Sequence, residues 1–116
     1  NFGMRWVGSL VADASRIFIR GGIFLYPADN RKKYKEGRLR LTYEANPIAF
    51  LIEEAKGKAT DGNESILNLE VREIHQRSPL IFGSSEEVLE FKKFYWNIQI
   101  NRKLLCNFLC INVMDI

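Results

Sequence analysis

Apolar residues fall at Leu10, Val11, Ala14, Ile17 and Phe18, the three- and four-residue spacing of one face of an α-helix. Gly8-Ser9 opens this segment and Gly21-Gly22 closes it, so the pattern predicts a helix between them. The run Ile23-Phe24-Leu25-Tyr26 is short and continuous and ends at Pro27, as a buried strand would. The stretch DNRKKYKEG, residues 29–37, is polar and predicts a solvated, mobile loop. From Arg38 to Glu44 the chain alternates. Leu39, Leu41 and Tyr43 fall on one side, with Arg38, Arg40, Thr42 and Glu44 on the other, as in a half-buried strand. Asn46 suits an N-cap and Pro47 a first helical residue. Ile48, Leu51, Ile52 and Ala55 then mark one helix face, and Gly57 fits its carboxyl end. Leu67, Leu69 and Val71 predict a strand, and Leu80-Ile81-Phe82 another. After Gly83 and Ser84-Ser85, Glu86 and Glu87 suit the positive end of a helix whose apolar face carries Val88, Phe91 and Tyr95. Strands and helices are interspersed, so an α/β class is expected, as α-β layers around a mixed sheet.

From Asn97 the pattern changes. NIQINRKLLCNFLCINVMDI has no clear cap and no matching partner segment. Residues 1–96 are therefore expected to form the domain and 97–116 an atypical tail, with LLCNFLC either a buried helix or a sticky end.

A chain of 116 residues can bury a real core. With 47% hydrophobic and 27% charged residues it has the composition of an ordinary globular domain rather than a disordered or membrane-embedded one. Its net charge of +3 calls for neither nucleic acid nor a membrane as partner. No apolar run reaches the roughly 18 to 20 residues of a membrane span, and no amino-terminal stretch has the layout of a signal peptide. Cys106 and Cys110 make neither a disulfide framework nor a zinc pattern, so a reduced, intracellular setting is expected, with the cytoplasm as the compartment assigned. The first residue is Asn, so a fragment or a processed chain is expected.

Residue chemistry alone leaves two readings of Glu44: a charge decorating a helix start, or a ligand held at the rim of a sheet. His75 is the only histidine, open to a general-base or a structural role. The RKKYK run, residues 31–35, reads as a solvated surface rather than a nucleic-acid contact.

Four segments then stand in order: MRWVGSLVAD, GGIFLYPAD, GRLRLTYEANPIAFLIEEA and EIHQRSPLIFGSSEEVLEF. Together, from Met4 to about Phe94, they resemble the carboxyl-terminal part of class 1 fructose-1,6-bisphosphatase. The resemblance implies part of a layered sugar-phosphatase fold, usually a homotetramer. It also implies Mg2+-dependent hydrolysis of the 1-phosphate of fructose 1,6-bisphosphate, in gluconeogenesis. It makes Glu44 a metal ligand, and assigns substrate contacts to Arg38 and Arg40. Tyr26 would bind the retained 6-phosphate, Trp6 would stand beside it, and Arg5 would reach a neighbouring subunit's site. Gly8, Ser9 and Leu10 would form a turn close to the sugar, with Asp13 supporting that segment. His75 would be structural.

Some positions depart from the family pattern. Arg38 stands where Lys is usual, Trp6 where a tyrosine is, and Lys56 where a glycine is, while the 31–35 loop is two residues longer. The family's other metal-binding and water-activating acids lie upstream of the matched region. These 116 residues are therefore expected to show no phosphatase activity alone. Two alternatives stand beside this reading: a non-catalytic assembly module, and activity on sedoheptulose 1,7-bisphosphate.

Overall fold

Strand β5, Leu80–Gly83, is buried throughout and sits at the centre of the computed structural model, which describes residues 3–114 and the side chains of residues 3–101. A continuous apolar run suits a strand covered on both faces. Two antiparallel neighbours flank it. On one side lies β1, Ile23–Tyr26, with Phe24 opposite Phe82, and on the other β3, Lys58–Thr60, with Ala59 opposite Phe82.

Alternation sends Leu80 and Phe82 to the same face. There they join Ala14 and Ile17 of α1, Leu10–Arg20, and Ala49 and Ile52 of α2, Asn46–Glu54. Leu41, Ala45, Ala59 and Ile66 complete this core, and Phe24 stacks on Phe82 with ring centroids 4.9 Å apart. Full burial of a side chain such as Phe82 stabilises the fold by about 1.5–3 kcal/mol. The third helix, α3, Ser85–Met114, packs against β3 and β5 and buries Val88. A separate two-stranded ribbon pairs β2, Leu39–Arg40, with β4, Arg77–Ser78.

Gly83 lets these layers close. A Cβ there would lie 2.0 Å from the Gly22 carbonyl oxygen. With only hydrogen in that space, the Ser84 N–H donates to the Gly22 carbonyl at 2.9 Å, and the Gly22 N–H donates to Ser84 Oγ at 3.1 Å.

The α/β layering, α1, β1 and β5 all lie where the patterns place them. Every strand pair among the described residues is antiparallel, so the mixed sheet expected from the sequence is not formed by them.

Five local expectations change. The strand predicted for residues 38–44 lasts two residues, and then a π-helical turn, Leu41–Ala45, runs into α2. Leu41, Ala45, Ala49 and Ile52 are all buried at helical spacing, so a helix puts this row into the core, while Tyr43 stays half exposed. Asn46 consequently lies inside the helix instead of capping it.

The strand predicted around residues 67–71 is a 3-10 turn, Ile66–Asn68, anchored by the fully buried Ile66, with Leu67 and Val71 exposed. At the end of α2 the left-handed residue is Lys56, at φ +68°, and not Gly57. Gly57 is required for a different reason: a Cβ there would meet the Gly83 carbonyl oxygen at 2.4 Å.

The polar loop is structured. It carries a 3-10 turn, Lys32–Tyr34, and Asp29 accepts hydrogen bonds from both the Arg31 main chain and its guanidinium. Helix α3 passes Asn97 without a break, and the side chains of the LLCNFLC segment lie outside the described residues. Among the described residues no helix is long and apolar enough to cross a membrane.

Candidate functional site

Tyr26 ends β1, and Arg38 stands at the entry to β2. Arg38 Nη1 donates to the Tyr26 hydroxyl at 3.2 Å. The Trp6 indole also meets Tyr26 edge-on, with centroids 5.6 Å apart. In the opposite direction, Arg40 Nη1 donates to the Arg38 carbonyl at 3.2 Å, and the Arg40 main-chain N–H donates to Glu44 Oε2 at 2.7 Å. Direct contacts thus connect Trp6, Tyr26, Arg38, Arg40 and Glu44, five of the nine residues singled out from the sequence.

The other four lie on the segment leading into α1. Arg5, Gly8 and Ser9 are exposed, while Leu10 packs against the core. Gly8 takes φ +82°, and a Cβ there would come within 3.2 Å of Trp6 Nε1. Asp13 fastens the segment from beneath. Its buried carboxylate accepts the Val7 N–H at 3.3 Å and Arg16 Nη2 at 3.1 Å, and Arg16 also donates to the Arg5 carbonyl at 3.2 Å. The supporting role expected of Asp13 is therefore visible as contacts.

Sequence reasoning missed Tyr34. The Arg38 guanidinium carbon lies 3.8 Å from the centroid of the Tyr34 ring, with Arg31 at 4.9 Å and Lys33 at 5.6 Å. An aromatic residue set among cations was the available signal. The hydrogen bond from Arg31 holds the Asp29 carboxyl below its usual range, and the same bond raises the Arg31 guanidinium above its own. This corner is cationic with aromatic walls, which suits an oxyanion carried on a partly apolar body.

Within four residues of Glu44 along the chain, and among the described residues, three buried polar atoms have no hydrogen-bond partner: Arg40 Nε, Thr42 Oγ1 and Asn46 Oδ1. Glu44 also lies on the π-helical turn, a local geometry frequent at functional sites. Among the described residues no three His, Cys, Asp or Glu side chains stand close enough to hold a metal ion. His75 is exposed, and its Nδ1 lies 3.1 Å from the Tyr43 hydroxyl in an edge-on pair, a surface contact in keeping with a structural role.

The model of the fructose-1-6-bisphosphatase carboxyl-terminal domain family matches residues 1–96. The chain belongs to this fructose-1,6-bisphosphatase family. Its relatives include a class 1 fructose-1,6-bisphosphatase of Azorhizobium caulinodans, 63% identical over 95 residues that cover 82% of this chain and 29% of the relative. One from Xanthobacter autotrophicus is 61% identical over the same shares, and one from a Bradyrhizobium species is 64% identical over 76% of this chain and 26% of the relative. The chain thus spans less than a third of the length of these fructose-1,6-bisphosphatases. The family match ends at residue 96, within α3.

Proposed function

We propose that this chain supplies the carboxyl-terminal half-site of a Mg2+-dependent phosphatase that removes the 1-phosphate of fructose 1,6-bisphosphate. The observation that carries this reading is the unbroken set of contacts from Trp6 through Tyr26, Arg38 and Arg40 to Glu44. It joins a cationic, aromatic-walled corner to a carboxylate, the two kinds of surface that a sugar bisphosphate and its metal need.

In this reading Tyr26 and Arg38 hold the retained phosphate, and Trp6 walls the sugar beside the Gly8-Ser9-Leu10 turn. Arg40 fixes Glu44, and Arg5 serves the site of a neighbouring subunit in a homo-oligomer. Glu44 fits the metal. Its Oε2 is held by the Arg40 N–H, which leaves Oε1 as a hard oxygen donor of the kind Mg2+ prefers. When bound, Mg2+ supplies charge to the phosphoryl oxygens and acidifies water. One carboxylate makes an incomplete site, so the remaining ligands come from the rest of such an enzyme. The orphaned Arg40 Nε, Thr42 Oγ1 and Asn46 Oδ1 support that division, because each buried unpaired group costs about 1–3 kcal/mol until something partners it. The setting in this reading is cytoplasmic carbohydrate metabolism.

The test is an exchange. The matched 95 residues of the Azorhizobium caulinodans relative are replaced by those of this chain. The chimera is expected to hydrolyse fructose 1,6-bisphosphate with Mg2+, while the 116-residue chain alone does not exceed its own Glu44→Ala control. A folded but inactive chimera, or turnover by the chain alone, contradicts the proposal.

A further inference from the structure

We propose that Tyr34 is a positioning residue, which holds the face of the Arg38 guanidinium so that its edge is presented, pre-oriented, to an oxyanion. The inference rests on the reading of Arg38 as a phosphate contact.

The Arg38 guanidinium carbon lies over the Tyr34 ring, 3.8 Å from its centroid, and 5.7 Å from that of Tyr26, a separation that suits face-to-face stacking on Tyr34. A guanidinium is planar, with its N–H donors in the plane and its π-faces bare. Stacking on Tyr34 therefore occupies a face and leaves donors free. One of them, on Nη1, goes to the Tyr26 hydroxyl, which sets the rotation of the plane. A side chain fixed in both tilt and rotation loses less freedom when it grips a phosphate than a solvated arginine does. A lysine at this position would have no face to stack and no fork to aim.

Tyr34 is itself held. It closes the 3-10 turn by donating its N–H to the Arg31 carbonyl at 2.8 Å, and its carbonyl accepts the Gly37 N–H at 3.0 Å. Arg31 packs on the same ring from 4.9 Å while its guanidinium is tied to Asp29. Arg31 is thereby neutralised locally, which leaves Arg38 as the cation of this stack that is turned toward Tyr26. Tyr34 is half-buried on a surface turn and belongs to no core cluster, so replacing it leaves the hydrophobic core intact.

The experiment uses the full 116-residue chain labelled uniformly with 15N, titrated with inorganic phosphate and followed at Arg38 Nε–Hε and, where Arg38 is replaced, at the Tyr26 and Arg40 main-chain amides. In the wild type that proton is expected to be shifted upfield by the Tyr34 ring current, and phosphate is expected to perturb it saturably. Tyr34→Leu is expected to remove the upfield shift and weaken phosphate binding about two- to five-fold, the scale of one cation–π contact. Tyr34→Phe, which keeps the ring without the hydroxyl, is expected to restore both. In an Arg38→Lys background, Tyr34→Leu is expected to change nothing further. If Arg38→Ala weakens phosphate binding while Tyr34→Leu leaves it unchanged, the assignment of Tyr34 is overturned and the reading of Arg38 stands. If Arg38→Ala binds phosphate as the wild type does, that reading falls, and the role of Tyr34 with it.

Discussion

Glu44 accepts the main-chain N–H of Arg40 at 2.7 Å, four residues back along the chain and across the start of the π-helical turn. The carboxylate thereby satisfies a donor at the point where β2 becomes helix, a task separate from holding a metal. In the proposed reading the two roles use different oxygens and respond differently to substitution. Glu44→Gln keeps an acceptor for the Arg40 N–H, whereas Glu44→Ala removes it. In urea denaturation, Glu44→Ala is expected to lose about 0.5–2 kcal/mol and Glu44→Gln less than half of that. Equal losses would show that the hydrogen bond does not stabilise this junction.

The end of α2 makes the opposite kind of prediction. Lys56 sits at φ +68°, where a side chain crowds its own backbone, so Lys56→Gly is expected to raise stability by up to about 1 kcal/mol. Gly57, its neighbour, has a Cβ position blocked 2.4 Å from the Gly83 carbonyl oxygen, so Gly57→Ala is expected to cost about 1–3 kcal/mol. Measuring the two variants side by side by chemical denaturation checks the sign of each.

Asp13 is buried beneath the segment that carries Arg5 and Trp6, and it ties Val7 and Arg16 together. Asp13→Ala is expected to cost about 1–3 kcal/mol and to raise amide exchange at Val7, while Asp13→Asn keeps an acceptor and loses less. Hydrogen exchange at Val7 is the direct readout.

The Asp29 carboxyl is held below its usual value by its hydrogen bond to Arg31, so the charged form is favoured in the folded turn. A group whose folded pKa is depressed contributes its full stabilisation above the unfolded value, about 3.9 for Asp, and loses it as pH falls through the lower folded value. The Lys32–Tyr34 turn is therefore expected to keep its structure from neutral pH down to about 4 and to loosen below that. The Arg38 Nε–Hε shift followed against pH tests this, and a transition centred near neutrality would contradict it.

Trp6, Tyr26, Arg38, Arg40 and Glu44, which the structure links by contacts, were all named from the sequence, but the element holding Glu44 was not legible there. Leu39, Leu41 and Tyr43 alternate with period two, while Leu41, Ala45, Ala49 and Ile52 repeat as a helix does, and both patterns fit the same letters. Packing under β5 chose the helix, because it buries four residues where the strand would leave Ala45 at a joint. Strand β3 escaped notice because Lys58-Ala59-Thr60 is three residues long and holds a single β-branched residue. Tyr34 was hidden for another reason. Hydrophobic periodicity reports burial, and a ring whose partners are Arg31, Lys33 and Arg38 leaves no apolar pattern. The α1 and β5 patterns had no such competitor and both elements formed as expected, although Val11 and Phe18 of the predicted α1 face stay exposed while Asp13 is buried.

Glu44 is proposed to serve as a metal-holding carboxylate of a phosphatase site and not only as a helix-start acceptor. The most direct measurement is Mg2+-dependent turnover of fructose 1,6-bisphosphate by the chimera that carries this chain's matched 95 residues, compared with its Glu44→Gln variant. The expected result is a loss of about a hundred-fold or more in kcat with the thermal midpoint within a few degrees of the parent chimera. A Glu44→Gln chimera that turns over at the parent rate would contradict it.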